Sequence, residues 1–83
     1  AGEPLAEFFS RELLGAINDA MQNLSKEQRT VLLLRAGEHL EYSEIASMLQ
    51  VKEATVRWHM YEGRRILWQK LSTKFDLEAM GDE

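Results

Sequence analysis

The chain has a single proline, at position 4, and from there to Phe75 only Gly15, Gly37 and Gly63 interrupt apolar residues that recur at three-to-four spacing. That period belongs to amphipathic helices, and so few breakers leave little room for strands. Leu5, Phe8, Phe9, Leu13, Ile17, Met21 and Leu24 mark one face of a first helix, expected over residues 4–22, with Pro4 suited to its first turn. Ser25 and Gln28 have the spacing at which each side chain satisfies the other's orphan backbone donor, so a second helix is expected over 26–36. Gly37 is then expected to stop it by taking the left-handed conformation. A short helix follows over 42–49, with Ile45, Met48 and Leu49 on one side and Gln50-Val51 as its corner. The last and longest helix is expected over 52–75, and residues 76–83 read as a frayed acidic tail. The expected fold is all-α: four helices in a single domain spanning residues 1–83.

A chain this short supports one hydrophobic core and no deep, dry, walled pocket. Its 45% apolar and 29% charged residues are the balance of a folded domain, not of a disordered tail. The absence of cysteine removes disulfides, thiol nucleophiles and zinc-thiolate sites, and suits a cytoplasmic protein. No apolar run approaches the ~18 residues of a membrane span. Ala1 in place of an initiator Met reads as a chain processed or cut from a longer one. No metal site, cofactor or enzymatic activity is expected. His39 and His59 fall on different elements, no glycine-rich phosphate loop is present, and no nucleophile sits beside a base.

The net charge of −4 is unevenly spread. Residues 1–51 hold four basic and eight acidic side chains, residues 52–75 six and two, and residues 76–83 none and four. One continuous segment is therefore cationic between two anionic flanks, which is a local electrostatic footprint. It coincides with the last helix. A short helix, a turn of three or four residues and a long helix form a helix-turn-helix, whose second helix is shaped for a major groove.

Two stretches carry a family resemblance. Leu24 to Arg35 (LSKEQRTVLLLR) resembles the opening of region 4 of bacterial RNA polymerase sigma factors. Leu40 to Arg65 (LEYSEIASMLQVKEATVRWHMYEGRR) resembles the same family's helix-turn-helix, with its Y-x-E-I-A, its T-V-R and its arginine-rich close. The likeness runs without gaps over about residues 20–71 and is strongest to the extracytoplasmic-function group. LuxR-type response-regulator domains share E-I-A and T-V-K with a following histidine, which His59 fits. Their upstream segment aligns only with a one-residue shift and leaves Arg29, Arg35 and Tyr42 unexplained. The chain departs from the sigma pattern at Ser25, usually proline, at Glu41 and Lys52, usually serine, and in the less basic run Trp58 to Glu62.

On the last helix Val56, Met60, Gly63 and Leu67 share one side, expected to be core, and Trp58, Tyr61 and Arg65 lie almost opposite. Lys52, Glu53, Arg57 and Trp58 are the base-contact candidates, because N-terminal positions of a recognition helix reach base edges. Glu53 also suits the helix dipole. Arg64, Arg65 and His59 are candidates for phosphates, Tyr61 for the same DNA face, and Tyr42 for a phosphate or for packing. Arg29 suits a phosphate or an intramolecular salt bridge, and Arg35 an acid such as Glu38 or Glu44. Val31, Leu32, Leu33 and Leu34 wrap more than half of the second helix, so either the first helix or a partner must cover part of them. The resemblance implies the partner: the flap of the RNA polymerase beta subunit, or an anti-sigma factor. It implies a domain that reads double-stranded promoter DNA at the −35 element and positions the polymerase core there for transcription initiation. Two other readings are a sigma-like decoy that binds an anti-sigma factor through the Trp58–Tyr61 face, and a LuxR-type effector domain.

Overall fold

The computed structural model describes residues 3–75. The expected tail at 76–83 lies outside the described residues, as do the side chains of Leu5, Phe8 and Phe9. Among the described residues there are four α-helices: α1 (Glu3–Met21), α2 (Lys26–Leu32), α3 (Tyr42–Leu49) and α4 (Glu53–Phe75). Among the described residues there is no strand, and no helix is long and apolar enough to cross a membrane. α4 is the spine against which the other three helices pack.

α1 ends in a tightened turn in which the backbone N–H groups of Gln22, Asn23 and Leu24 donate to the carbonyls of Asp19, Ala20 and Met21. Arg29 reaches back from α2, its Nε donating to the Met21 carbonyl at 3.3 Å and its Nη2 to that of Leu24 at 3.1 Å. Its role is thus internal: it gives the Leu24 carbonyl a donor and the Met21 carbonyl a second one, tying the end of α1 to α2. The Ser25–Gln28 capping box forms as the spacing requires, with Gln28 N–H donating to Ser25 Oγ at 3.1 Å and Ser25 N–H to Gln28 Oε1 at 2.9 Å.

The inner line of α1 differs from the expected stripe. Leu13 is exposed, and Ala16 and Ala20 are buried instead, beside Lys70, Leu71 and Lys74 of α4. Small side chains on that line let the two long helices approach, and Leu13 and Leu14 are left in solvent.

Four consecutive apolar residues sweep about 300° of an α-helix at 3.6 residues per turn, so one inward face cannot hold Val31 to Leu34. The structure resolves the conflict by loosening the end of α2 into a π turn, Leu33–Gly37. Val31 and Leu32 go inward, at 0% and 8% exposure, Leu34 is half-buried against the core, and Leu33 is left 55% exposed. Val31 and Leu32 are thereby removed from any docking surface. Gly37 lies inside the π turn and is not left-handed; the chain reverses at His39, whose φ is 59°. Histidine is among the residues enriched in that region.

Ile45, Val31 and Val56 are the most deeply buried side chains, and with Leu24, Leu32, Ala46 and Met60 they join α2, α3 and α4 in one core. α3 begins with Glu44 Oε1 accepting from the Glu41 N–H at 2.8 Å. It ends at Gln50, which takes φ 58° and ψ 47°, with the Val51 N–H donating to the Ala46 carbonyl at 3.0 Å. That six-to-one closure normally carries glycine at the left-handed position. Relief of the Cβ strain is partly offset by glycine's extra freedom in the unfolded chain. Gln50→Gly is therefore expected to stabilise the domain by about 0.5–1 kcal/mol, read as a higher melting temperature by circular dichroism.

Candidate nucleic-acid interface

The turn at Gln50 and the burial of Val56, Met60 and Gly63 fix the rotation of α4 about its own axis. Gly63 sets its distance from α2: a Cβ there would lie 3.0 Å from Leu32 Cδ1 and 3.6 Å from Gln28 Cβ. With the inner side thus seated, Arg57, Trp58, Tyr61, Arg64 and Arg65 all face solvent. Trp58 and Tyr61 are 58% and 56% exposed, and their rings stack on each other with centroids 5.9 Å apart and planes inclined by 28°. Two large rings in water beside cations are a surface that a folded monomer has little reason to keep uncovered.

The cations are arranged in pairs. Arg57 Nη2 donates to Glu53 Oε2 at 2.7 Å, and Arg65 Nη2 to Glu62 Oε1 at 2.9 Å. The hydrogen bond that Arg65 donates to Glu62, and then the Glu62 charge, raise the Arg65 pKa above its ordinary value. The Arg57–Glu53 pair is exposed on both sides and exchanges readily for other anions, whereas in the Arg65–Glu62 pair the arginine is exposed and the carboxylate largely covered. Lys52 is exposed just before α4, and its carbonyl accepts from the N–H groups of Thr55 and Val56, opening the helix. Glu53, Arg57 and Trp58 thus occupy the exposed first two turns of the second helix of the helix-turn-helix, with Lys52 directly before them.

Two other candidates, His59 and Tyr42, lie off that face. His59 is half-buried on the shoulder toward α2, lining a hollow of about 250 Å³ with Lys26, Glu27, Thr30, Leu49 and Val51. At 100° per residue it stands well round the helix from Arg65, so it does not share a phosphate-facing surface with it. Tyr42 is half-buried at the start of α3, with the Arg57 guanidinium over its ring at 4.6 Å from the centroid and that of Arg35 at 5.0 Å. Arg35 donates to the Leu40 carbonyl at 2.8 Å and approaches Glu41 at 3.8 Å, rather than Glu38 or Glu44. Trp68 was not among the expected site residues, yet it is 52% exposed. It stands seven residues beyond Tyr61, a spacing that drifts only about 20° round a helix, so the heptad separation already placed it on the same stripe. Among the described residues no group of three or more histidine or acidic side chains is placed to hold a metal ion.

Residues 14–67 match the family model of sigma-70, region 4. The ECF RNA polymerase sigma-E factor of Haemophilus influenzae is 31% identical over 68 residues, which cover 82% of this chain but 36% of that protein. No solved structure matches significantly.

Proposed function

Because the chain belongs to the sigma-70 region 4 family, a non-enzymatic DNA-binding domain of transcription factors, we propose that it reads the −35 element of promoters for an ECF-type sigma factor. The whole of residues 1–83 would serve as that domain, acting in the cytoplasm where polymerase meets DNA. The observation that supports this reading is the single outward face of α4, with three arginines and a stacked aromatic pair, and with Lys52 exposed just before it, at the second helix of a helix-turn-helix. In the groove, Arg57 and Lys52 offer donors to guanine, Glu53 accepts from cytosine, and the edge of Trp58 packs on a thymine methyl. Arg64, Arg65 and Tyr61 neutralise or bond phosphates, fixing register without reading sequence. Exposed Leu33, with half-buried Leu34 next to it in the π turn, offers the apolar contact for the flap of the polymerase beta subunit or for an anti-sigma factor.

Three to six phosphate contacts from a chain of net charge −4 make a weak, salt-sensitive complex. Fluorescence anisotropy with a labelled promoter duplex is expected to give a micromolar or weaker Kd, and a slope of log K against log salt of about −3 to −5. Attachment to polymerase would then raise the effective concentration enough for promoter use. A nanomolar, salt-insensitive complex would contradict this reading. The pairing of Arg57 with Glu53 and of Arg65 with Glu62 favours one rival, a decoy that binds an anti-sigma factor through Trp58 and Tyr61 without touching DNA.

A further inference from the structure

The geometry around Tyr42 points to a role that neither a phosphate contact nor simple packing describes. Arginine is a costly base reader, because a long side chain loses rotamer freedom when it docks. Arg57 meets that cost before DNA arrives, since Glu53 holds one edge of its guanidinium at 2.7 Å and the Tyr42 ring lies against it at 4.6 Å. The ring is itself held. Tyr42 packs against the core that joins α2, α3 and α4, and the Arg35 guanidinium lies over it at 5.0 Å. Arg35 is anchored in turn by its 2.8 Å bond to the Leu40 carbonyl. A continuous series of contacts therefore runs from the π turn, through Arg35 and Tyr42, to Arg57 in the second turn of α4.

We infer that Tyr42 is a positioning residue whose ring face, not its hydroxyl, pre-orients Arg57 for base contact. The inference rests on the reading of the outer face of α4 as the DNA-reading surface. The Arg57–Glu53 pair can open at little cost, because it is exposed, while the ring keeps the guanidinium over the same spot as Glu53 lets go. Arg57 would then exchange one acceptor, the carboxylate, for another, a guanine edge, without searching its rotamers.

The test uses the 83-residue chain with two duplexes, one recovered by the chain from a library randomised over a helical turn and one scrambled duplex of the same length. Tyr42→Leu is expected to weaken binding to the selected duplex by about 2–5-fold, the range of an exposed cation–ring contact, with no change on the scrambled one. Tyr42→Phe keeps the ring and is expected to match the native chain. In an Arg57→Ala background, Tyr42→Leu is expected to add no further loss. The Arg57 Nε–Hε resonance of the free protein reads the contact directly: ring-shifted in the native chain and in Tyr42→Phe, and unshifted in Tyr42→Met, which fills the space without a ring. Equal losses from Tyr42→Phe and Tyr42→Leu would assign the hydroxyl to a phosphate and overturn the proposal. So would a Tyr42→Leu loss that persists without Arg57, or an unshifted native resonance. If Arg57→Ala leaves DNA binding intact while the resonance is shifted, the reading of the α4 face fails and the positioning role falls with it, although the contact itself is real.

Discussion

The Gly63→Leu variant is expected to lose about 2–3 kcal/mol of folding free energy, enough to lower the melting temperature by roughly 10–20 °C in a chain of this size. The reason is local and geometric. Even the first added carbon would stand 3.0 Å from Leu32 Cδ1, and the rest of a leucine would have to displace α2 from α4 at the buried seam. A domain of this length has about 4–12 kcal/mol to lose, so the deficit is a large fraction of the whole. Gly63→Ala separates crowding from helix propensity. Alanine contributes about 1 kcal/mol through the helix backbone and asks only that the end of one leucine side chain shift, so its melting point is expected to stay near the native value. Thermal denaturation followed by circular dichroism measures both variants. If Gly63→Leu melts with the native chain, the close approach of α2 and α4 described here is wrong.

The second large effect is on binding. Arg57→Ala and Arg65→Ala together are expected to weaken duplex binding by roughly 10–100-fold, because one removes a base contact of about 1–3 kcal/mol and the other a phosphate contact. The magnitude of the salt slope should also fall by about 1 for the lost phosphate partner. Stability should barely change, since both arginine side chains are exposed. The same variant measured against an anti-sigma partner separates the promoter reader from the decoy. Loss of DNA binding alone supports the former, loss of protein capture alone the latter, and loss of neither removes both residues from the site.

Much of this architecture was legible because it is local. The 3.6-residue period alone seats Val56, Met60 and Gly63 inward and Trp58, Tyr61 and Arg65 outward. The Ser25–Gln28 box needs only a three-residue interval, and it forms. What escaped depends on tertiary packing. No propensity announces that four apolar residues will be divided by a π turn, so Val31 and Leu32 read as surface candidates although only Leu33 is presented. Gly37 looked like the reversal point because glycine is the usual left-handed residue, yet the wider turn carries the reversal on to His39. The α1 stripe holds at Met21 and Leu24 but fails at Leu13 for a similar reason: alanines, weak signals in any hydrophobic pattern, are what fit beside α4, and the larger Leu13 is turned out. The meeting of Arg35, Tyr42 and Arg57 joins three elements and has no sequence signature at all.

The most direct measurement of whether α4 is the reading element is an amide NMR titration of the 83-residue chain with a −35 duplex. Resonances from Lys52 to Arg65 and the indole of Trp58 are expected to move together as duplex is added, with α1 and the surroundings of Leu33 unmoved. Shifts gathered on α1 or around Leu33 while the recognition helix stays silent would contradict the account.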